Sequence, residues 1–104
     1  MQIKSSLKED LKKKVYLIVY DLGNKKENPE ALLAEIKKFP GWCKAWDGHW
    51  FVCSSEKAVD ICARLQKLLK PSDYLFVCDA NSDRMGKLPA KAADWLDEIV
   101  RKQQ

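Results

Sequence analysis

Residues 42–46 and 49–53 are two short aromatic-rich runs separated only by Asp47-Gly48. That dipeptide tolerates the positive φ angles a two-residue type I′ turn demands, so the segment predicts a tight antiparallel hairpin. A hairpin in the middle of 104 residues excludes an all-helical fold. The flanking segments must complete its sheet, because an isolated two-stranded hairpin is marginal in water.

Upstream, Val15-Tyr16-Leu17-Ile18-Val19-Tyr20 is a near-continuous run of β-branched, aromatic and aliphatic residues, closed by Asp21-Leu22-Gly23-Asn24. Such uninterrupted hydrophobicity predicts a central strand. Asn28-Pro29-Glu30 then opens a helix whose Leu32, Leu33, Ile36 and Phe39 share one face, and Pro40-Gly41 ends it. Downstream, Ser54 and Ser55 read as caps of a second helix carrying Ala58, Ile61, Cys62, Leu65, Leu68 and Leu69, which Pro71 stops. Residues 73–79 predict another buried strand, and 81–86 a loop. From Leu88-Pro89 a last helix places Ala92, Trp95, Leu96, Ile99 and Val100 on one stripe.

The predicted order is therefore β-α-β-β-α-β with an added C-terminal helix, an α+β chain of ferredoxin-like arrangement whose antiparallel sheet runs four-one-three-two. Right-handed crossovers put the two main helices on one face. The other face needs the last helix or a second subunit, and a homodimer is the expectation for so small a chain.

Lysine and arginine outnumber aspartate and glutamate by nineteen to fifteen, for a net charge of +4. Residues 1–14 hold five lysines against Glu9 and Asp10, so three of those four charges lie in the segment before the first strand. That segment reads as a basic, frayed tail, and residues 15–104 as a single, nearly neutral domain. No apolar run approaches the roughly 20 residues of a membrane-spanning helix. The N-terminus lacks the apolar region of a secretory signal, so a cytoplasmic setting is expected. Cys43, Cys53, Cys62 and Cys78 contain no Cys-x-x-Cys pair and are joined by a single histidine. This pattern reads as buried thiols in a reducing compartment rather than as structural zinc.

Candidate chemistry gathers where the first strand ends. With the first and third strands running parallel, Asp21, Asn24, Ser54, Ser55 and Asp73 share one rim beside both helix N-termini, while His49 and Asp79 fall at the opposite one. An aspartate on a rigid strand end suits Mg²⁺ or Mn²⁺ held through oxygens and waters. One carboxylate is too few, and a two-fold dimer supplies a second Asp21. The plainer alternatives are a turn aspartate bonded to the backbone of Gly23 or Asn24, and serines that only cap a helix. Trp42, Trp46 and Trp50 are either stacking platforms for bases or core and interface residues. Lys37, Lys38 and Lys44 are either phosphate contacts or a solvated face.

The run from Val15 to Leu22, the Leu32-Leu33-Ile36-Lys37 helix face, Trp42, Trp50-Phe51-Val52, Gly86-Lys87-Leu88-Pro89 and Trp95-Leu96 together resemble the small SinR-like proteins of bacteria, over residues 15–97. Through them the chain resembles the CRISPR-associated spacer-adaptation family and the virulence-associated protein D toxins. The resemblance implies a ferredoxin-like dimer and metal-dependent nuclease chemistry on RNA or DNA. It makes the aspartate of Tyr20-Asp21 the metal ligand, and Ser54 the polar residue after the third strand. Two functions follow as expectations. One is a dimeric, Mg²⁺-dependent endoribonuclease with Asp21 catalytic and Tyr20, Asn24, Ser54 and Ser55 around its substrate. The other is a non-catalytic module, regulatory or immunity-related, that binds a protein.

Overall fold

The computed structural model describes residues 13–24, 29–81 and 83–103. Strand β1 (Lys14–Asp21) is followed by helix α1 (Glu30–Ile36), strands β2 (Gly41–Trp46) and β3 (His49–Ser54), helix α2 (Ala58–Gln66), strand β4 (Tyr74–Asp79) and helix α3 (Ala90–Gln103). The four strands form one sheet in the order β2-β3-β1-β4, and every neighbouring pair is antiparallel. The protein is thus α+β. Lys14 belongs to β1 rather than to the basic tail. The rest of that tail up to residue 12, and Asn28, lie outside the described residues.

Between its charged, exposed ends Lys14 and Asp21, β1 is apolar because it packs on both faces. Tyr16 and Ile18 join Leu32, Ile36, Phe39, Trp50, Val52, Ile61 and Leu65 in a core beneath α1 and α2. Val15, Phe51, Cys43 and Ala45 pack with Ala92 and Leu96 of α3 on the other side. Phe51 and Trp95 stack with centroids 6.5 Å apart. The added helix, rather than a second subunit, therefore covers this part of the second face.

The central hairpin forms with a different turn from the one its sequence predicts. Only Gly48 has a positive φ, +73°, and no described non-glycine residue does, so Asp47 rules out a type I′ turn. The strands accommodate this by a register shift at Ala45: Lys44 pairs with Trp50, yet Trp46 pairs with His49. An extra residue in one strand increases local twist and lets an ordinary backbone at Asp47 close the connection.

At the start of β1, Asn81 stands in for a missing strand residue. Its Oδ1 accepts the Val15 N–H at 2.8 Å and its Nδ2 donates to the Val15 carbonyl at 3.3 Å, while Ala80 N–H donates to that carbonyl at 2.9 Å. Between α1 and α2, the Arg64 guanidinium donates to Glu56 at 2.8 and 3.0 Å, pairs with Glu35 at 3.3 Å and lies 4.5 Å from the Phe39 ring centroid.

Candidate functional site

Antiparallel pairing of β1 with β3 redistributes the residues expected at one rim. β1 and β2 are joined through a helical crossover, and β3 is the hairpin return of β2, so β3 must run against β1. Ser54 consequently lies opposite Lys14, at the start of β1, and His49 opposite Val19, near its end. Ser54 and Ser55 are not beside Asp21, whereas His49 is on that side.

Neither serine occupies the cap of α2. That position belongs to Lys57, which makes no side-chain cap. Ser54 is buried, its Oγ accepting the Glu56 N–H at 3.0 Å and donating to Glu56 Oε1 at 3.5 Å. Ser55 is exposed.

The end of β1 borders a hollow of about 550 Å³ lined by Val19, Tyr20, Asp21, Leu22, Pro29 and the Asp47-Gly48-His49 turn. Asp21 and Asn24 are exposed, and Tyr20 packs against the core under α1 and α2. The His49 ring stacks on Trp46 at 4.6 Å, and its Nδ1 lies 2.8 Å from the Asp47 carbonyl. Among the described residues no group of three or more His, Cys, Asp or Glu side chains is placed to hold a metal.

Asp73 reaches the same end of the sheet, but its carboxylate is committed to the backbone. Oδ2 accepts the Lys70 N–H and Oδ1 the Gly23 N–H, both at 2.8 Å, which ties the loop after β1 to the loop before β4. These bonds favour the charged form and hold the carboxyl below its ordinary range. Asp79, at the opposite rim as expected, is lowered likewise by the backbone N–H and side chain of Asn81. A carboxyl whose folded pKa is depressed stabilises the fold above its unfolded pKa and loses that contribution as pH falls through the folded value. The melting temperature should therefore drop as the solution is acidified below about pH 4. Asp73→Asn should melt lower than the parent at neutral pH, with the gap narrowing in acid. A gap that stays constant with pH would show that the carboxylate contributes no charge-dependent stability.

The lysines and tryptophans resolve into mixed roles. Lys38 pairs with Glu35 at 3.0 Å, Lys44 with Asp47 at 3.1 Å, and Lys37 sits 5.4 Å over Trp42. Trp50 is core, whereas Trp42 and Trp46 are each more than two-fifths exposed. Cys43 and Cys53 are buried as expected; Cys62 and Cys78 are only partly so. Burial raises the Cys43 thiol above its ordinary pKa.

One open edge of the sheet is β4. Tyr20 N–H donates to the Gly48 carbonyl and Ala80 N–H to the Val15 carbonyl, both at 2.9 Å. Even-numbered residues of β1 thus turn their backbone groups to β3, and odd-numbered ones to β4. Phe76 and Cys78, opposite Val19 and Leu17, bond inward by the alternation of an antiparallel ladder. Leu75 and Val77 direct theirs outward, and among the described residues no strand lies beyond β4.

On the α3 face of that edge, Tyr74 is 74% and Phe76 64% exposed. Beside them a groove of about 430 Å³ runs under α3; Leu17, Phe51, Cys78, Leu88 and Leu96 give it an apolar lining, with Asp79, Arg84 and Asp97 also in its wall. Arg84 shapes its wall by donating to the Ala80 and Asn81 carbonyls, both at 2.6 Å. The unbroken apolar run of β4 predicted a buried strand at one end of the sheet; the structure keeps the end position but leaves no residue of β4 fully buried, because no strand among the described residues covers its outer side. No helix of the described residues is long and apolar enough to cross a membrane. No protein-family model, curated protein or solved structure matches the chain.

Proposed function

We propose that this chain is a ferredoxin-like, non-catalytic protein-interaction module that receives an extended polypeptide along β4. The strand order supports the fold reading: counted from β4 it runs four-one-three-two. The observation that carries the function is the outward backbone ladder at Leu75 and Val77, flanked by the exposed rings of Tyr74 and Phe76. Strand addition draws affinity from main-chain bonds and specificity from alternate side chains, and β4 offers both. Four thiols without a disulfide fit a reducing, cytoplasmic setting.

A second reading, a Mg²⁺- or Mn²⁺-dependent endoribonuclease, is favoured by one observation. Asp21, Asp47 and His49 line the same hollow. In that reading Asp21 and its copy in a dimer hold the metal and position water.

One titration separates the two. Single-stranded RNA is added at low salt with Mg²⁺ and followed for binding and cleavage, and a strand-forming peptide of alternating valine and threonine is added in parallel. The interaction reading expects peptide-induced shifts of the Leu75 and Val77 amide signals and no RNA cleavage. Salt-steep RNA binding, with cleavage abolished by Asp21→Asn at unchanged thermal stability, would put the nuclease reading in its place.

A further inference from the structure

We propose that the occupant of β4 is a second copy of this chain, paired antiparallel about a two-fold axis through Phe76 so that two four-stranded sheets become one of eight. The inference rests on the reading of β4 as a docking edge and adds the identity of what docks there.

Of the symmetric registers that bring like faces together, the three that overlap most of β4 are centred on Leu75, Phe76 or Val77. Centring on Leu75 sets Asp73 against an apolar Val77. Centring on Val77 sets Leu75 against Asp79. Centring on Phe76 places Leu75 opposite Val77 of the partner subunit, and both are residues whose backbone groups point outward, so each pair exchanges two hydrogen bonds. Phe76 then meets the partner's Phe76 in a non-hydrogen-bonded pair, where side chains approach most closely. Asp73 and Asp79 come level across the axis, but each already turns its carboxylate to amides of its own subunit.

This register also joins two features that are otherwise unrelated. Tyr74 stands opposite Cys78 of the partner subunit, and Cys78 lines the apolar groove under α3. The three-quarters exposed tyrosine of each subunit is thereby delivered to the groove of the other, a knob and a hole repeated by symmetry. An aromatic side chain carries about 150–250 Å². The exposed fractions of Tyr74 and Phe76 therefore withdraw roughly 400–700 Å² from four rings in the dimer. Strand backbone and groove walls raise this toward the roughly 1,200 Å² at which stable interfaces begin. A micromolar dimer is the expectation.

The edge also lacks the usual defences against self-pairing. Residues 74–78 contain no charge and no proline. The opposite edge, β2, carries Lys44 and the irregularity at Ala45, two devices that discourage strand addition.

Sedimentation equilibrium of the full chain over about a hundredfold concentration range tests the proposal, together with concentration-dependent amide exchange. Self-association is expected, with Leu75 and Val77 amides slowing as the dimer forms and Phe76 and Cys78 amides protected throughout. Phe76→Lys should weaken association by at least about thirtyfold with an unchanged melting temperature, since that ring is mostly exposed in the single subunit. A chain that stays monomeric but whose Leu75 and Val77 signals shift with the valine–threonine peptide overturns the second copy and leaves the docking edge standing. A monomer that also ignores the peptide overturns both. Association indifferent to Phe76→Lys, without protection at Leu75 and Val77, places the interface elsewhere and overturns the proposal.

Discussion

Gly48→Val should destabilise the protein by roughly 3 kcal/mol or more, a large share of the roughly 5–15 kcal/mol available to a domain of this kind. Two separate penalties meet at this residue. Its φ of +73° costs an L side chain about 1–2 kcal/mol. A Cβ built there would also lie 2.5 Å from the Tyr20 carbonyl oxygen, a backbone atom that accepts no easy displacement. The Gly48 carbonyl in turn receives the Tyr20 N–H, so pushing the turn away breaks the last rung between β1 and β3. Urea denaturation of Gly48→Val and Gly48→Asn separates the penalties, because asparagine tolerates positive φ but still brings a Cβ. Both variants should be destabilised, Val more than Asn. An asparagine variant as stable as the parent would show that the close approach to Tyr20 carries no cost.

Phe51→Ala should cost about 3–5 kcal/mol, the range for truncating a buried aromatic. Phe51 is only 6% exposed and links the sheet to α3 through Val15, Ala92, Leu96 and the stacked Trp95. Its loss removes the ring on which the last helix rests while leaving the core under α1 and α2 intact. Hydrogen exchange should therefore show amides of α3 opening well before those of β1. If α3 amides stay as protected as those of β1 in this variant, the helix is held by something other than this layer.

These expectations show which parts of the architecture were legible in residues alone. The unbroken run in β1 marked a strand buried on both faces, since a strand with one wet face must alternate. The stripe of Ala92, Trp95 and Leu96 marked an amphipathic helix seeking a partner. Strand direction was not legible in the same way. Reading β3 as parallel to β1 moved Ser54 to Asp21 and sent His49 away, when the hairpin return requires the reverse. The turn was also half visible: Asp47-Gly48 announced a reversal, but the shift at Ala45 depends on how β3 packs between two neighbours, which no dipeptide encodes. Asp73 resembled a rim ligand by position, yet its bonds to Lys70 and Gly23 come from two loops brought together only by the finished fold. The end position of β4 followed from the predicted strand order but its exposure did not, because Tyr74 to Cys78 runs as unbroken as β1 and reads as buried, whereas the fold leaves Tyr74 and Phe76 uncovered.

The central place of β1 also sets a timetable. Among the strands of this sheet, the first to be synthesised waits longest for its last partner, for Leu17 pairs with Phe51 on one side and with Cys78 on the other. At the roughly 5–20 residues per second of synthesis, the strand with the longest apolar run, Val15 to Tyr20, spends several seconds without its sheet. Its protection during that interval must come from outside the finished fold, so the yield of folded protein in a cell should depend on translation speed and chaperone supply more than its final stability would suggest.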